Sequence, residues 1–435
     1  MKQKLQQLFD KSNIKQTLLN TVFILFIVAS LFRFVRQIFI TYYFESYAIS
    51  ENLINYQGGF VRRGLLGEIL FFFTKNFNIN IEWTIKIISL ICLLIVCIFF
   101  VRNFLKKGYT LYILPLCFFL QTMLIWGYFT RKDSLMLCIL IAVLWIFNKT
   151  KNSILKFFAI NLLMIFMLLT HEAFAFFSLP ILFLLFFSNY QSKGILQSII
   201  LSLIFLLPSI SAFLLTLHYH GDIQIAQTIW DSWVAVANLK PAELTTHSHG
   251  GISAIAWDKE WTFRFHFNTN FWSESFRVLS VFFWIIVIPT VYYIVTNALL
   301  VFRKNEMVFT NKDKTILSSV LIFQFVCLLP LFLTLSCDLG RIIFYWVASS
   351  FIVFLLIPKE KIEKSFPTFF TKFVERINRG LTHILHPTKT TIVLLIMFIG
   401  IPIYGFSFEG VIRSSVAGNI LLLFSETLIT LKSFL

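Results

Sequence analysis

Long apolar runs dominate this chain. The first extends from about Leu18 to Phe44, behind a polar, lysine-bearing start. Others lie near 82–101, 109–128, 134–148, 157–170, 173–187, 195–218, 277–301, 315–336, 342–357 and 390–408. About 20 apolar residues make a helix long enough to cross a bilayer, so the pattern predicts about eleven transmembrane helices. The runs at 134–148, 157–170 and 173–187 are short. They predict helices that stop inside the membrane beside a protein-lined cavity, where irregular backbone is tolerated. Ile69 to Phe73 is too short to span and predicts an interfacial or re-entrant helix. The fold class is therefore all-α, a polytopic integral membrane protein forming one transmembrane domain over 1–435. It has a first outer loop at 45–81, a large outer loop at 220–275 and a basic inner loop at 358–389.

Composition supports that pattern. Of 435 residues, 58% are hydrophobic and 13% are charged, against about 45–50% and about 25% in soluble domains. A soluble globular protein, a disordered chain and a disulfide scaffold are excluded. The net charge of +16 would suggest nucleic acid in a soluble protein. In a membrane protein the excess belongs to inner loops, and no nucleic-acid partner is expected. Lys2, Lys4, Lys11 and Lys15 place the N-terminus in the cytoplasm. The first run is too long for a signal peptide and lacks a small-residue cleavage site, so it reads as an uncleaved span. None of the six cysteines has metal-ligand spacing.

With that topology, five unusual segments share the outer face. The first is Tyr56-Gln57-Gly58-Gly59-Phe60-Val61-Arg62-Arg63-Gly64-Leu65. Its glycines permit tight turns and close ligand approach. Arg62 and Arg63 read either as headgroup anchors or as a clamp for a phosphate, which arginine forks bind bidentately; the glycine spacing favours the clamp. The second is Arg131-Lys132-Asp133, readable as anchors or as part of the same site. The third is His171-Glu172 inside a long apolar stretch, where ionisable residues are costly and mark function by default. It is a candidate acid/base pair, or a polar hinge between half-helices. The fourth is the large loop, with Trp230, Trp233, Trp257, Trp261, Trp272, His247 and His249. Aromatic faces there suit saccharide rings or an interfacial belt. The pairs His218/His220 and His247/His249 invite a metal reading, but no third spaced ligand supports one. The fifth is Asp338-Leu339-Gly340-Arg341, either a junction ion pair or a further cation with its positioning carboxylate. No nucleotide-binding, nucleophile-elbow or zinc-protease motif is present.

The Tyr56–Leu65 stretch, with His171-Glu172 and Asp338-x-x-Arg341, resembles polytopic proteins of bacterial surface-polysaccharide loci, and more loosely the Wzy-type O-antigen and capsule polymerases. The resemblance covers the span plan and about twenty residues of short motif. It implies an inner-membrane glycosyltransferase joining undecaprenyl-diphosphate-linked oligosaccharides at the periplasmic face, among membrane lipids and other polysaccharide-assembly proteins. Arg62, Arg63, Arg131 and Arg341 would bind the diphosphate. Tyr56, Gln57, Gly58 and Gly59 would form a substrate loop. Glu172 or His171 would act as base, with Asp338 as a further catalytic candidate. No metal or other cofactor is implied. The rival readings are a GT-C-type transferase using a polyprenyl-monophosphate sugar, with Glu45 or Glu51 as its loop carboxylate, and a flippase for the same lipid-linked glycan.

Overall fold

The computed structural model describes residues 11–39, 43–118, 129–271, 277–305, 309–336, 338–401, 411 and 413–432. Among them every extended element is helical, and the sole β-type pairing is an isolated bridge between Tyr109 and Arg303. In chain order the first helices are α1 (Lys11–Phe39), α2 (Tyr47–Ser50), α3 (Gly64–Phe77), α4 (Ile81–Lys106), α5 (Leu114–Phe118), α6 (Asp133–Lys149) and α7 (Ser153–Thr170). Next come α8 (Phe174–Tyr190), α9 (Ile195–His218), α10 (Ile223–Ala237), α11 (Gly250–Ser253), α12 (Lys259–Phe271) and α13 (Arg277–Val301). The last are α14 (Asn311–Pro330), α15 (Leu339–Leu356), α16 (Lys359–Ser365), α17 (Thr368–Leu385), α18 (Lys389–Phe398) and α19 (Val416–Lys432). Side chains set several starts. Asn80 accepts the backbone N–H of Trp83 at α4, Asn152 accepts those of Ile154 and Leu155 at α7, and Thr310 and Asp313 form a capping box at α14.

Eight of these helices are long and apolar enough to cross a membrane, and the chain is a polytopic membrane protein. The sequence pattern predicts eleven; the three runs not among the eight are 109–128, 134–148 and 390–408. Helix α6, over the 134–148 run, has 17 residues, just short of a span. The 390–408 run yields α18, with 10 residues, and 402–408 lie outside the described residues. Residues 119–128 of the 109–128 run also lie outside them. Helices α17 and α18 meet at a bend of 91° and together make at most a ninth crossing.

Helix α15 is the hub. In its span 94% of residues are buried, against 12% in α1. Helices α6, α8 and α14 surround it, while α4, α7 and α9 turn Ile, Leu and Phe side chains outward. The Asp338–Arg341 segment at the start of α15 is thus central to the molecule.

The 45–81 loop and residues 220–271 of the large loop fold together over one end of the bundle. Ile49, Leu53, Ile54, Val61, Leu66 and Leu70 share an apolar cluster with Ile229, Trp230, Trp233 and Ile252. Trp230 and Trp233 are fully buried and donate their indole N–H to the carbonyls of Lys240 (3.2 Å) and Leu53 (2.6 Å). They hold the cap together and offer no face to a ligand. Trp272 lies outside the described residues. Helix α3 covers the 69–73 stretch. Its 14 residues reach about 21 Å, short of a bilayer core of about 30 Å. Leu66, Leu70 and Phe71 face the cap, whereas Phe72, Phe73 and Phe77 are exposed. It crosses the preceding strand of chain at Gly67, where a Cβ would lie 1.9 Å from the Ile54 carbonyl oxygen. Gly67→Ala forces that backbone apart, so thermal unfolding of the variant should show a loss of about 1–3 kcal/mol. An unchanged midpoint would mean that the crossing is loose.

Candidate functional site

Three breaks between helices face one another beneath the cap. They are the turn before α6, the turn between α7 and α8, and the turn between α14 and α15. Each carries ionisable residues at a point where an apolar helix stops, which supplies room and backbone dipoles for them. With the start of α3 and the inner side of α12, they enclose a cavity of about 290 Å³. Arg62, Arg63, Arg131, His171, Glu172, Asp338 and Arg341 all line it. These seven come from segments up to 279 positions apart by number, and all were singled out from sequence.

Their pairing is closer than the sequence suggests. Arg131 donates to Glu51 (3.2 Å) and to Asp338 (3.0 Å), and stacks over Tyr47 at 4.8 Å. Arg341 donates to the same Asp338 oxygen (2.8 Å), to both oxygens of Asp133 (3.0 and 2.6 Å) and lies beside the Tyr345 hydroxyl, which itself donates to Asp133. Glu51 also accepts the Lys132 backbone N–H at 3.2 Å. Burial would raise the pKa of Glu51, but the Arg131 guanidinium and the cations beyond it hold it at about 2. It is absent from the cavity wall and acts as an anchor for Arg131. Asp338 is likewise shared between two arginines and serves to position them.

A second pair stands opposite. Arg63 grips Glu172 through Nε (2.8 and 3.0 Å) and a terminal nitrogen (2.5 Å). Arg63 has φ 67, a left-handed backbone that is uncommon for a side-chain-bearing residue and marks a position worth attention. That turn starts α3 and accompanies the turn of the side chain toward Glu172. Despite burial, the Arg63 contact keeps the Glu172 carboxyl well below the usual carboxylate range. Lys132 closes the group from behind, its ammonium donating to the carbonyls of Arg63 (3.2 Å) and Thr170 (3.1 Å). Burial, partly offset by Glu51, brings its pKa down to about 8.

Arg62 differs from the rest. It forms no ion pair among the described residues; a terminal nitrogen donates to the Ala254 carbonyl (3.1 Å), and Nε is buried without a partner. Five cations (Arg62, Arg63, Arg131, Lys132, Arg341) therefore meet four carboxylates (Glu51, Asp133, Glu172, Asp338); of the two cations without an ion pair among the described residues, Lys132 is tied to two carbonyls behind the group and Arg62 lines the cavity.

Two histidines line the cavity in opposite tautomers. Nδ1 of His171 accepts the Ala173 N–H (3.3 Å), which puts the proton of the neutral ring on Nε2. Nδ1 of His266, on α12, contacts the Thr334 carbonyl at 3.2 Å. A carbonyl only accepts, so this ring is protonated at Nδ1 and keeps its Nε2 lone pair. Burial pushes both pKa values below the ordinary 6.5, for His171 well below, leaving both rings neutral near pH 7. His266 had no motif to mark it. Trp257 and Phe265 supply the aromatic wall, Trp257 touching Trp261 at 4.5 Å and Trp261 stacking on Phe265 at 4.8 Å.

Tyr56, Gln57, Gly58 and Gly59 do not line the cavity. Glu68 accepts the Tyr56 backbone N–H (2.8 Å) and the Gln57 side-chain amide (2.9 Å), Gly59 turns at φ 115, and a Cβ on Gly58 would come 2.9 Å from the Ile225 carbonyl. This turn is a brace that delivers Arg62 and Arg63. The paired histidines of the large loop form no metal cluster among the described residues; His220 contacts the Gly221 carbonyl and His249 packs on Trp230. The chain matches no protein-family model, no curated protein and no solved structure.

Proposed function

We propose that this protein is a glycosyltransferase of the bacterial cytoplasmic membrane that joins undecaprenyl-diphosphate-linked oligosaccharide repeat units at the periplasmic face, in O-antigen, capsule or exopolysaccharide synthesis. The observation that carries the proposal is the uncompensated Arg62 in a charged cavity with aromatic walls, at the end of a bundle of apolar helices. A lipid-linked donor has a matching order of parts: a chain for the bilayer, a phosphate for arginine and a sugar for aromatic faces. In the transfer, an acceptor hydroxyl attacks the anomeric carbon and the lipid diphosphate leaves. The leaving group gains one unit of negative charge as the bond breaks, and preorganised arginines stabilise that charge. Arg62 binds the phosphate directly, while Arg63 approaches it with the terminal nitrogen that does not hold Glu172 and Arg341 adds its charge to the wall.

The charge balance also favours a second reading. One excess cation equals the charge of one phosphodiester, so a polyprenyl-monophosphate sugar fits the resting cavity without rearrangement. A diphosphate draws on Arg63 as well, loosening it from Glu172.

Deleting the gene and resolving surface glycan on a gel separates these readings. The polymerase proposal expects loss of the ladder with one repeat unit retained. An incomplete unit would instead indicate single-sugar transfer, and accumulation of lipid-linked glycan in the inner leaflet would indicate a flippase. Orientation has its own check. Ser248 is exposed on the cap, and Ser248→Cys is expected to react with an impermeant thiol reagent on spheroplasts. Labelling only after lysis would put the cavity on the wrong side for this chemistry.

A further inference from the structure

The opposite end of α14 borders a second, larger cavity of about 1180 Å³, walled by the first turns of α14, the end of α13 and the helix α17. On this element the second cavity is lined as far as Ser319 and the first from Leu331 onward, so their nearest walls lie about 18 Å apart along the bundle. Lys314 is buried in this wall. Its ammonium donates to Asn297 Oδ1 (2.8 Å) and Thr382 Oγ1 (3.3 Å), and it forms no ion pair among the described residues. A buried ammonium without an anion is costly. Ser319, on the same wall, is buried and its hydroxyl has no partner among the described residues. Two polar groups thus line a roomy cavity, one lacking a counter-charge and the other a hydrogen bond. Of the nearby carboxylates, Glu363 is held by Lys312 at 2.8 Å, and Glu375 is exposed.

Helix α17 indicates the source of the missing anion. Arg379 and His383 line the cavity, while Phe369, Phe373 and Ile384 are exposed to the surroundings. A helix that is basic on one side and aromatic on the other lies in the headgroup layer of a bilayer, and basic pockets between membrane helices bind lipid headgroups. We propose that this cavity binds the phosphate headgroup of an anionic phospholipid, with Lys314 and Ser319 holding the phosphate and Arg379 at the mouth. The site is independent of the transferase reading.

The test uses the purified full chain in detergent, probed with phosphatidylglycerol, phosphatidylcholine or inorganic phosphate. Native mass spectrometry counts retained lipid, and thermal unfolding reports stabilisation. One phosphatidylglycerol is expected to stay bound and raise the unfolding midpoint. Lys314→Met and Arg379→Gln are each expected to weaken it on the order of tenfold, the scale of one charged hydrogen bond. Arg379 is exposed, so its variant folds even if the Lys314 variant does not. Equal retention of phosphatidylcholine, or unchanged binding in Arg379→Gln and any folded Lys314 variant, overturns the proposal. Protection by inorganic phosphate equal to that by phosphatidylglycerol overturns the lipid as its source.

Discussion

Arg62→Gln is expected to reduce elongation of lipid-linked repeat units on the order of 10²–10³-fold, the scale seen when one preorganised donor to a developing oxyanion is removed. Among the described residues the substitution breaks no ion pair and a single hydrogen bond, to Ala254. The fold should therefore survive, with an unfolding midpoint close to that of the wild type. That separates it from its neighbours. Arg131→Gln would strand Glu51 and leave Asp338 short of one partner, and breaking a buried pair costs about 3–5 kcal/mol. Lost activity there would report lost structure. Arg62→Lys keeps the charge without the fork and should recover only part of the rate. If Arg62 acts on the leaving group as charge grows, kcat falls with little change in KM; if it only grips the donor, KM rises at constant kcat. Wild-type turnover by Arg62→Gln would reduce the residue to a headgroup anchor.

The location of this site was legible in the sequence because apolar surroundings make ionisable residues conspicuous. His171-Glu172 and Asp338-x-x-Arg341 interrupt runs in which charge is otherwise excluded, and the span plan carries their ends to one side. The pairing was not legible. Arg131 meets Glu51 across 80 positions, and Arg341 meets Asp133 across 208, separations at which a sequence pattern says nothing about partners. The arginines therefore looked like a free clamp, whereas all but Arg62 are engaged with carboxylates. Tyr345, one helical turn beyond Arg341, could have been found from i, i+4 spacing. Trp230 and Trp233 misled for a different reason. An indole serves a sugar platform and a small apolar core equally well, and their burial is decided by the folding of the 45–81 loop onto α10. Among the described residues, the predicted runs that do not give a full-length apolar helix are those where the helix is short or follows a bend, as in α6 and α18.

His266→Gln is expected to lower turnover by about 10²–10⁴-fold, the range for a lost general base, and to leave donor binding intact. Glu172 was the sequence candidate for this role, but its two oxygens are held by Arg63 and its pKa lies well below the carboxylate range, which makes it a weak base. His171 has its proton on Nε2 and its Nδ1 lone pair engaged by the Ala173 N–H, so its neutral ring has no free lone pair to act as base. His266 alone of the three combines neutrality near pH 7 with an unprotonated Nε2, on a residue that lines the cavity. The sign of the pH dependence follows. Burial depresses the His266 pKa below 6.5, so the basic form is complete at pH 7 and is lost as the pH falls through that depressed value. The wild type should show an acid limb below pH 6.5, absent from the residual activity of His266→Gln. Glu172→Gln releases Arg63 as a second uncompensated cation, and should change donor affinity more than the position of the acid limb. If Glu172→Gln instead abolishes turnover with binding retained, while His266→Gln elongates normally, the proton goes to Glu172 and the Arg63 grip must open when the donor arrives.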